Sequence, residues 1–61
     1  MSKWLYTLKC PDGRIYAMIL EARLRGDAEA VAANKLWVEA RLSPLDDDPA
    51  IEATLVELAN A

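Results

Sequence analysis

The stretch from Lys3 to Arg25 constrains the fold most, because it has the pattern of two strands joined by the turn Cys10-Pro11-Asp12-Gly13-Arg14. Pro11 fixes φ for the first turn position, and Gly13 readily adopts positive φ. This chemistry is typical of a three-residue hairpin loop, a type I turn followed by a left-handed residue. Counting outward from a Cys10–Arg14 pair predicts the register: Leu8 opposite Tyr16, Tyr6 opposite Met18, Trp4 opposite Leu20 and Ser2 opposite Ala22.

The predicted register gives the hairpin one almost wholly apolar face, because strand side chains alternate with period two. The apolar face holds Trp4, Tyr6, Leu8, Tyr16, Met18, Leu20, Ala22 and, beyond the paired region, Leu24. The other face is mixed, with Lys3 opposite Glu21, Leu5 opposite Ile19, Thr7 opposite Ala17 and Lys9 opposite Ile15, continued by Arg23 and Arg25. A one-residue slip would exchange the two faces, so we expect the apolar face to form the core.

Residues 27–42 are rich in alanine and other strong helix formers and predict a first helix. Asp27 suits its N-cap, and Ser43-Pro44 should end it, because the residue before proline avoids helical angles. One apolar stripe of this helix comprises Ala30, Ala33, Leu36, Trp37 and Ala40, and a second comprises Val31, Val38 and Leu42. Two stripes predict contacts on two sides: the hairpin, and either a second helix or another chain.

Residues 43–48 read as an acidic linker, and residues 49–59 as a second helix. Asp48 is placed to cap this helix and Pro49 to be its first residue. Its apolar stripe would be Ile51, Leu55 and Leu58. The expected fold is therefore a single small α+β domain over residues 1–61, an antiparallel β-hairpin followed by two helices (ββαα) packed on the aromatic face of the hairpin.

Composition narrows the classes of function. The chain has no histidine and one cysteine, Cys10, so it lacks the commonest acid–base group and cannot form an internal disulfide. We expect Cys10 to be a plain thiol beside the turn, with a disulfide between two chains as the alternative. No phosphate loop, metal set, signal pattern or membrane-spanning run is present in the sequence, so we predict a cytoplasmic protein that is not an enzyme and has no cofactor, metal or membrane partner.

Charge is unevenly distributed along the chain. The formal net charge is −3, yet residues 1–26 carry five basic and two acidic side chains, and residues 27–61 carry two basic and eight acidic ones. The two halves could attract each other within the fold, or they could form a bipolar surface that steers a charged partner.

The leading functional prediction is a small regulator or inhibitor that binds another protein by surface occupation, without catalysis. Small acidic chains of this kind are frequent among phage and mobile-element inhibitors, including anti-CRISPR and anti-restriction proteins. The candidate contact residues are the carboxylates Asp46, Asp47, Asp48, Glu52 and Glu57, which could imitate a row of phosphates, and the apolar side chains Leu5, Ile15, Ile19 and Trp37. Trp37 could equally pack on the hairpin as part of the core.

Two further expectations concern partners. A hairpin alone is small for such a core and has open edges, so we expect a homodimer, formed either by paired hairpin edges in a four-stranded sheet or by the second stripe of the first helix. The alternative function is a nucleic-acid-binding regulator that uses Arg23 and Arg25, although the overall negative charge makes nucleic acid the less favoured partner.

Overall fold

The protein is an α+β domain with a three-stranded antiparallel sheet. The computed structural model describes residues 1–43 and 48–60. In chain order, the elements are β1 (Ser2–Lys9), β2 (Ile15–Ala22), α1 (Arg25–Glu39) and β3 (Glu52–Asn60). The strand order in the sheet is β2-β1-β3, so the hairpin occupies two of the three positions and β1 is central.

The hairpin and its register are as predicted. Leu8 lies opposite Tyr16 and Trp4 opposite Leu20, as counted from the turn. The backbone N–H of Cys10 donates to the carbonyl of Arg14 at 2.8 Å, and Gly13 adopts a φ of 94°. The predicted three-residue loop is therefore confirmed, because the positive φ falls on the one residue that accepts it without a steric penalty.

The predicted helix over residues 49–59 is wrong, because β3 runs through this stretch and pairs antiparallel with β1. Asp48 begins a turn rather than a helix: its carbonyl accepts from the N–H of Ile51 at 3.1 Å, and its Oδ1 accepts from the N–H of Ala50 at 2.9 Å. The second edge of β1 would otherwise present unpaired backbone groups, and β-branched Thr54 and Val56 suit a strand. The element order is accordingly ββαβ instead of ββαα.

The core lies between the sheet and one face of α1. Trp4, Tyr6 and Leu8 of the central strand are buried, and α1 packs chiefly over β2 and β1. The helix buries Ala28, Ala32 and Leu36, which are spaced by four residues, and its C-cap Ala40 is buried on the same line. Small alanines on this line let the helix approach the aromatic sheet closely.

The predicted stripes of the helix are only partly correct. Leu36 and Ala40 are buried and Ala33 and Trp37 are half-buried, whereas Ala30 is exposed. The second stripe was expected to meet either a second helix or another chain, and the described residues contain no second helix. Val31 and Val38 therefore stay 57% and 74% exposed, and Leu42 is half-buried. Leu24, expected on the core face, is also exposed, because the chain has already left the sheet there.

Both predicted ends of α1 differ from the structure. The helix begins at Arg25 after Leu24, so Asp27 lies in the first turn and is not the cap. It ends at Glu39, before Ser43-Pro44, where the N–H of Leu42 donates to Trp37 at 2.8 Å and that of Arg41 donates to Val38 at 3.1 Å. This pair of bonds is a Schellman motif, and its left-handed position is Arg41, with φ of 60°.

Candidate functional site: the outer face of the sheet

One face of the sheet is covered by α1, and the opposite face is open to solvent. We call this open side the outer face; it comprises Lys3, Leu5, Thr7 and Lys9 of β1, Ile15, Ala17, Ile19 and Glu21 of β2, and Glu52, Thr54 and Val56 of β3. Ile15 is 63% exposed, Ile19 60% and Val56 52%, while Leu5 and Thr7 in the central strand are half-buried by their neighbours.

The register places three aliphatic side chains in one line across the sheet. Leu5 lies opposite Ile19 on one side and opposite Val56 on the other. Side chains in such directly opposed positions have Cβ atoms about 5 Å apart, which places these three side chains side by side in one apolar ridge. The next row, Ala17, Thr7 and Thr54, is smaller at Ala17 and carries two hydroxyl groups, so it is more polar than the ridge.

Opposite charges border this apolar ridge at both ends of the sheet. Lys3 lies opposite Glu21, and Lys9 lies opposite Glu52. An apolar centre with a charged rim has the anatomy of a protein-contact surface, in which the centre supplies burial and the rim stays hydrated. The rim has no net charge, so the outer face does not itself repel either an acidic or a basic partner.

The apolar candidates Leu5, Ile15 and Ile19 therefore lie together on the outer face, but Trp37 lies elsewhere. Trp37 is half-buried on the other side of the sheet, and its Nε1 donates to the Tyr6 hydroxyl at 3.0 Å. It lines a groove of about 380 Å³ between α1 and β3, with Tyr6 and Ala53 among the other lining residues.

The carboxylate candidates do not form a row in the described part of the chain. Glu52 is on the outer face opposite Lys9, whereas Glu57 lies opposite Trp4 on the other face of β3. The helix that would have aligned them is a strand, so alternation separates them. Asp48 is exposed in the turn before β3, and Asp46 and Asp47 lie outside the described residues.

The two arginines of the nucleic-acid alternative differ in their surroundings. Arg23 is exposed beyond the end of β2. Arg25 reaches from the start of α1 to β3, where its Nη2 donates to the carbonyl of Leu55 at 3.1 Å. Arg25 thus has a structural contact that fixes its position and leaves fewer of its donors for a phosphate.

The turn holds the ion pair of Asp12 and Arg14 and one buried thiol. The N–H of Arg14 donates to Asp12 Oδ1 at 3.1 Å, and Arg14 Nε donates to Oδ2 at 2.6 Å. The backbone bond and then the side-chain bond lower the pKa of Asp12, while its carboxylate raises the pKa of Arg14. The Cys10 thiol is 2% exposed, so a disulfide between two chains would require local opening.

Among residues 1–43 and 48–60, no three His, Cys, Asp or Glu side chains come together in a way that could hold a metal ion. Within the same residues, no helix has the length and apolar character needed to cross a membrane.

Sequence reasoning missed Val56 and Leu58 as candidates, because it assigned them to a helix. Val56 completes the apolar ridge. Leu58 is 47% exposed and lies at the β-bulge, where it has no partner in the register. The run Thr54-Leu55-Val56 favours a strand, because Thr54 and Val56 are β-branched and such residues are enriched in strands.

Comparisons with protein-family models, with curated proteins and with solved structures give no significant match.

Proposed function

We propose that this protein is a small non-catalytic regulator or inhibitor that binds another protein with the outer face of its sheet. The proposal rests on the apolar ridge of Ile19, Leu5 and Val56, which no element of the described chain covers. Size and net charge of −3 agree with inhibitors encoded by phages and mobile elements, and we propose the same class here.

Burial energetics support a binding role for this ridge. Fully burying one Ile or Val side chain contributes about 1.5–3 kcal/mol. Ile19 and Val56 are 60% and 52% exposed, so most of that gain has not been used by the fold itself. A partner that covered the outer face would gain it, and the Lys9–Glu52 and Lys3–Glu21 pairs at the rim would restrict how the partner docks.

The test is affinity capture of the tagged protein from the cells that encode it, with and without nuclease. Ile19→Asp places a charge at the end of the ridge on an exposed position. Val31→Asp is the matched control, since Val31 is another β-branched residue, 57% exposed, but on the helix side of the molecule. Circular dichroism and melting of both variants establish that each is folded.

We expect a discrete protein that survives nuclease, is retained by Val31→Asp and is lost from Ile19→Asp. Equal retention by both variants would contradict binding through the outer face. Nucleic acid bound directly, without a protein, would contradict the proposal as a whole and favour the alternative based on Arg23.

A further inference from the structure

We propose that two copies of this chain pair through the free edge of β2, antiparallel about a two-fold axis at Met18, to form one continuous six-stranded sheet. This inference concerns an edge of the sheet, not its outer face, and does not depend on the proposed partner. Of the two hairpin edges expected to pair in a dimer, only that of β2 is available, because β3 occupies the other edge of β1; the sheet would then have six strands instead of the expected four.

The turn determines which backbone groups of β2 are free. Because Cys10 N donates to Arg14 O, the Cys10–Arg14 pair is hydrogen-bonded, and hydrogen-bonded pairs recur at every second position. Tyr16, Met18 and Leu20 therefore direct their backbone groups towards β1. The residues between them direct their N–H and C=O groups outward: Ile15, Ala17, Ile19 and Glu21. Within the described chain, no hydrogen bond occupies these outward groups.

The free residues are self-complementary in one register. An antiparallel pairing centred on Met18 puts Ile15 opposite Glu21 of the second copy and Ala17 opposite Ile19 of the second copy. All four outward-directed residues are then matched, in four facing pairs that exchange about eight hydrogen bonds. Registers shifted by two residues match fewer of them, and registers shifted by one residue place free groups against groups already bonded to β1.

The side chains at this seam also fit. On the core side, Met18 meets Met18 of the second copy and Tyr16 meets Leu20, so half-buried apolar side chains gain cover. The one charged residue of β2 is Glu21, and the two copies of it lie at opposite ends of the seam, about 20 Å apart at 3.4 Å per residue. No like charges meet along the seam.

The other free edge, β3, has the features by which proteins prevent strand addition. Its register is interrupted by a β-bulge, Glu57 places a carboxylate on the helix side of the sheet, and Arg25 occupies the carbonyl of Leu55. The β2 edge, Ile-Tyr-Ala-Met-Ile-Leu-Glu-Ala, has no proline, lysine, bulge or covering side chain of this kind. The contrast between the edges identifies β2 as the edge that is used.

Pairing through β2 also joins the two outer faces. Ala17 of one copy lies beside Ile19 of the other, so the two apolar ridges run next to each other across the seam. Where the proposed function holds, the partner would meet a surface built by both copies.

The test is the mass in solution, by light scattering across a concentration series, of the wild type and two proline variants. Ala17→Pro removes an outward N–H from β2 without removing a bond to β1, and proline is tolerated on edge strands in this orientation. Ala53→Pro is the matched control, because Ala53 alternates with the residues that bond β1 and so presents its N–H at the β3 edge.

We expect twice the chain mass of 6.8 kDa for the wild type and Ala53→Pro, and the chain mass for Ala17→Pro. Amide exchange of the wild type provides a readout that no variant can confound: Ile15, Ala17, Ile19 and Glu21 should be protected at high concentration and exchange fast on dilution. A monomeric wild type, or unprotected amides at these four positions, would overturn the proposal.

Discussion

Replacing Arg41 by glycine should stabilise the protein. Arg41 is the left-handed residue of the Schellman motif that ends α1, with φ of 60°. A left-handed conformation costs an L-residue about 1–2 kcal/mol, whereas glycine adopts it freely and loses about 0.5–1 kcal/mol more backbone entropy on folding. The difference predicts a gain of about 1 kcal/mol for Arg41→Gly, since the exposed side chain buries little surface.

The assay is thermal unfolding followed by circular dichroism. A gain of this size should raise Tm by about 4–8 °C in a domain of this length. Lys35→Gly is the control, because Lys35 is an exposed residue in the middle of α1, where glycine should lower the free energy of unfolding by about 1 kcal/mol.

The sign of the change in Tm distinguishes a helix that ends at Glu39 from one that continues through Leu42. If the helix continued through Leu42, as residues 27–42 predict, Arg41→Gly would destabilise the protein as Lys35→Gly does. A fall in Tm for both variants would therefore refute the Schellman end at Arg41 and the shorter helix with it.

Three further results are expected from the core and the turn. Tyr6→Phe leaves the Trp37 indole N–H without its acceptor and should lower the free energy of unfolding by about 1 kcal/mol in urea titrations; an unchanged stability would contradict that bond. Arg14 lowers the pKa of Asp12, so the stability that this ion pair adds is present above the unfolded pKa of about 3.8 and is lost as pH falls through the folded pKa. Asp12→Asn should therefore make the free energy of unfolding less dependent on pH below pH 3.8. An identical pH profile for the variant and the wild type would refute this contribution. Buried Cys10 should react with a thiol reagent only when denaturant opens the core, whereas immediate reaction in buffer would show it exposed.

The hairpin could be predicted from sequence residue by residue, because its determinants are local. Pro11 and Gly13 specify the turn, and a one-residue slip would expose the apolar face. The same reasoning placed Leu5, Ile15 and Ile19 together on the outer face, as the register has them.

The third strand could not be predicted in this way, because its pattern fits two structures. Ile51 and Leu55 are spaced by four residues, which suits a helix, but residues an even number of positions apart would also share one face of a strand. An Asp48-Pro49 start serves a helix cap or a turn equally well. Pairing with the otherwise open edge of β1, which is distant in sequence, favours the strand. Because the strand was not predicted, Val56 was not recognised as the end of the apolar ridge.

The ends of α1 were missed for a related reason. The sequence carries a good cap at Asp27 and a stop at Ser43-Pro44, but neither is used. The helix starts two residues before Asp27, and it ends in a Schellman motif in which an arginine takes the left-handed position where glycine is usual.

Photo-crosslinking inside the cell would show whether the outer face contacts a partner protein, as we propose. A photoreactive phenylalanine analogue would replace Thr7, in the middle of the outer face, and in a second variant Lys35, on the exposed side of α1. We predict a discrete adduct with a different protein from position 7 and none from position 35. Adducts from position 35 alone, or no adduct from either position, would contradict the account.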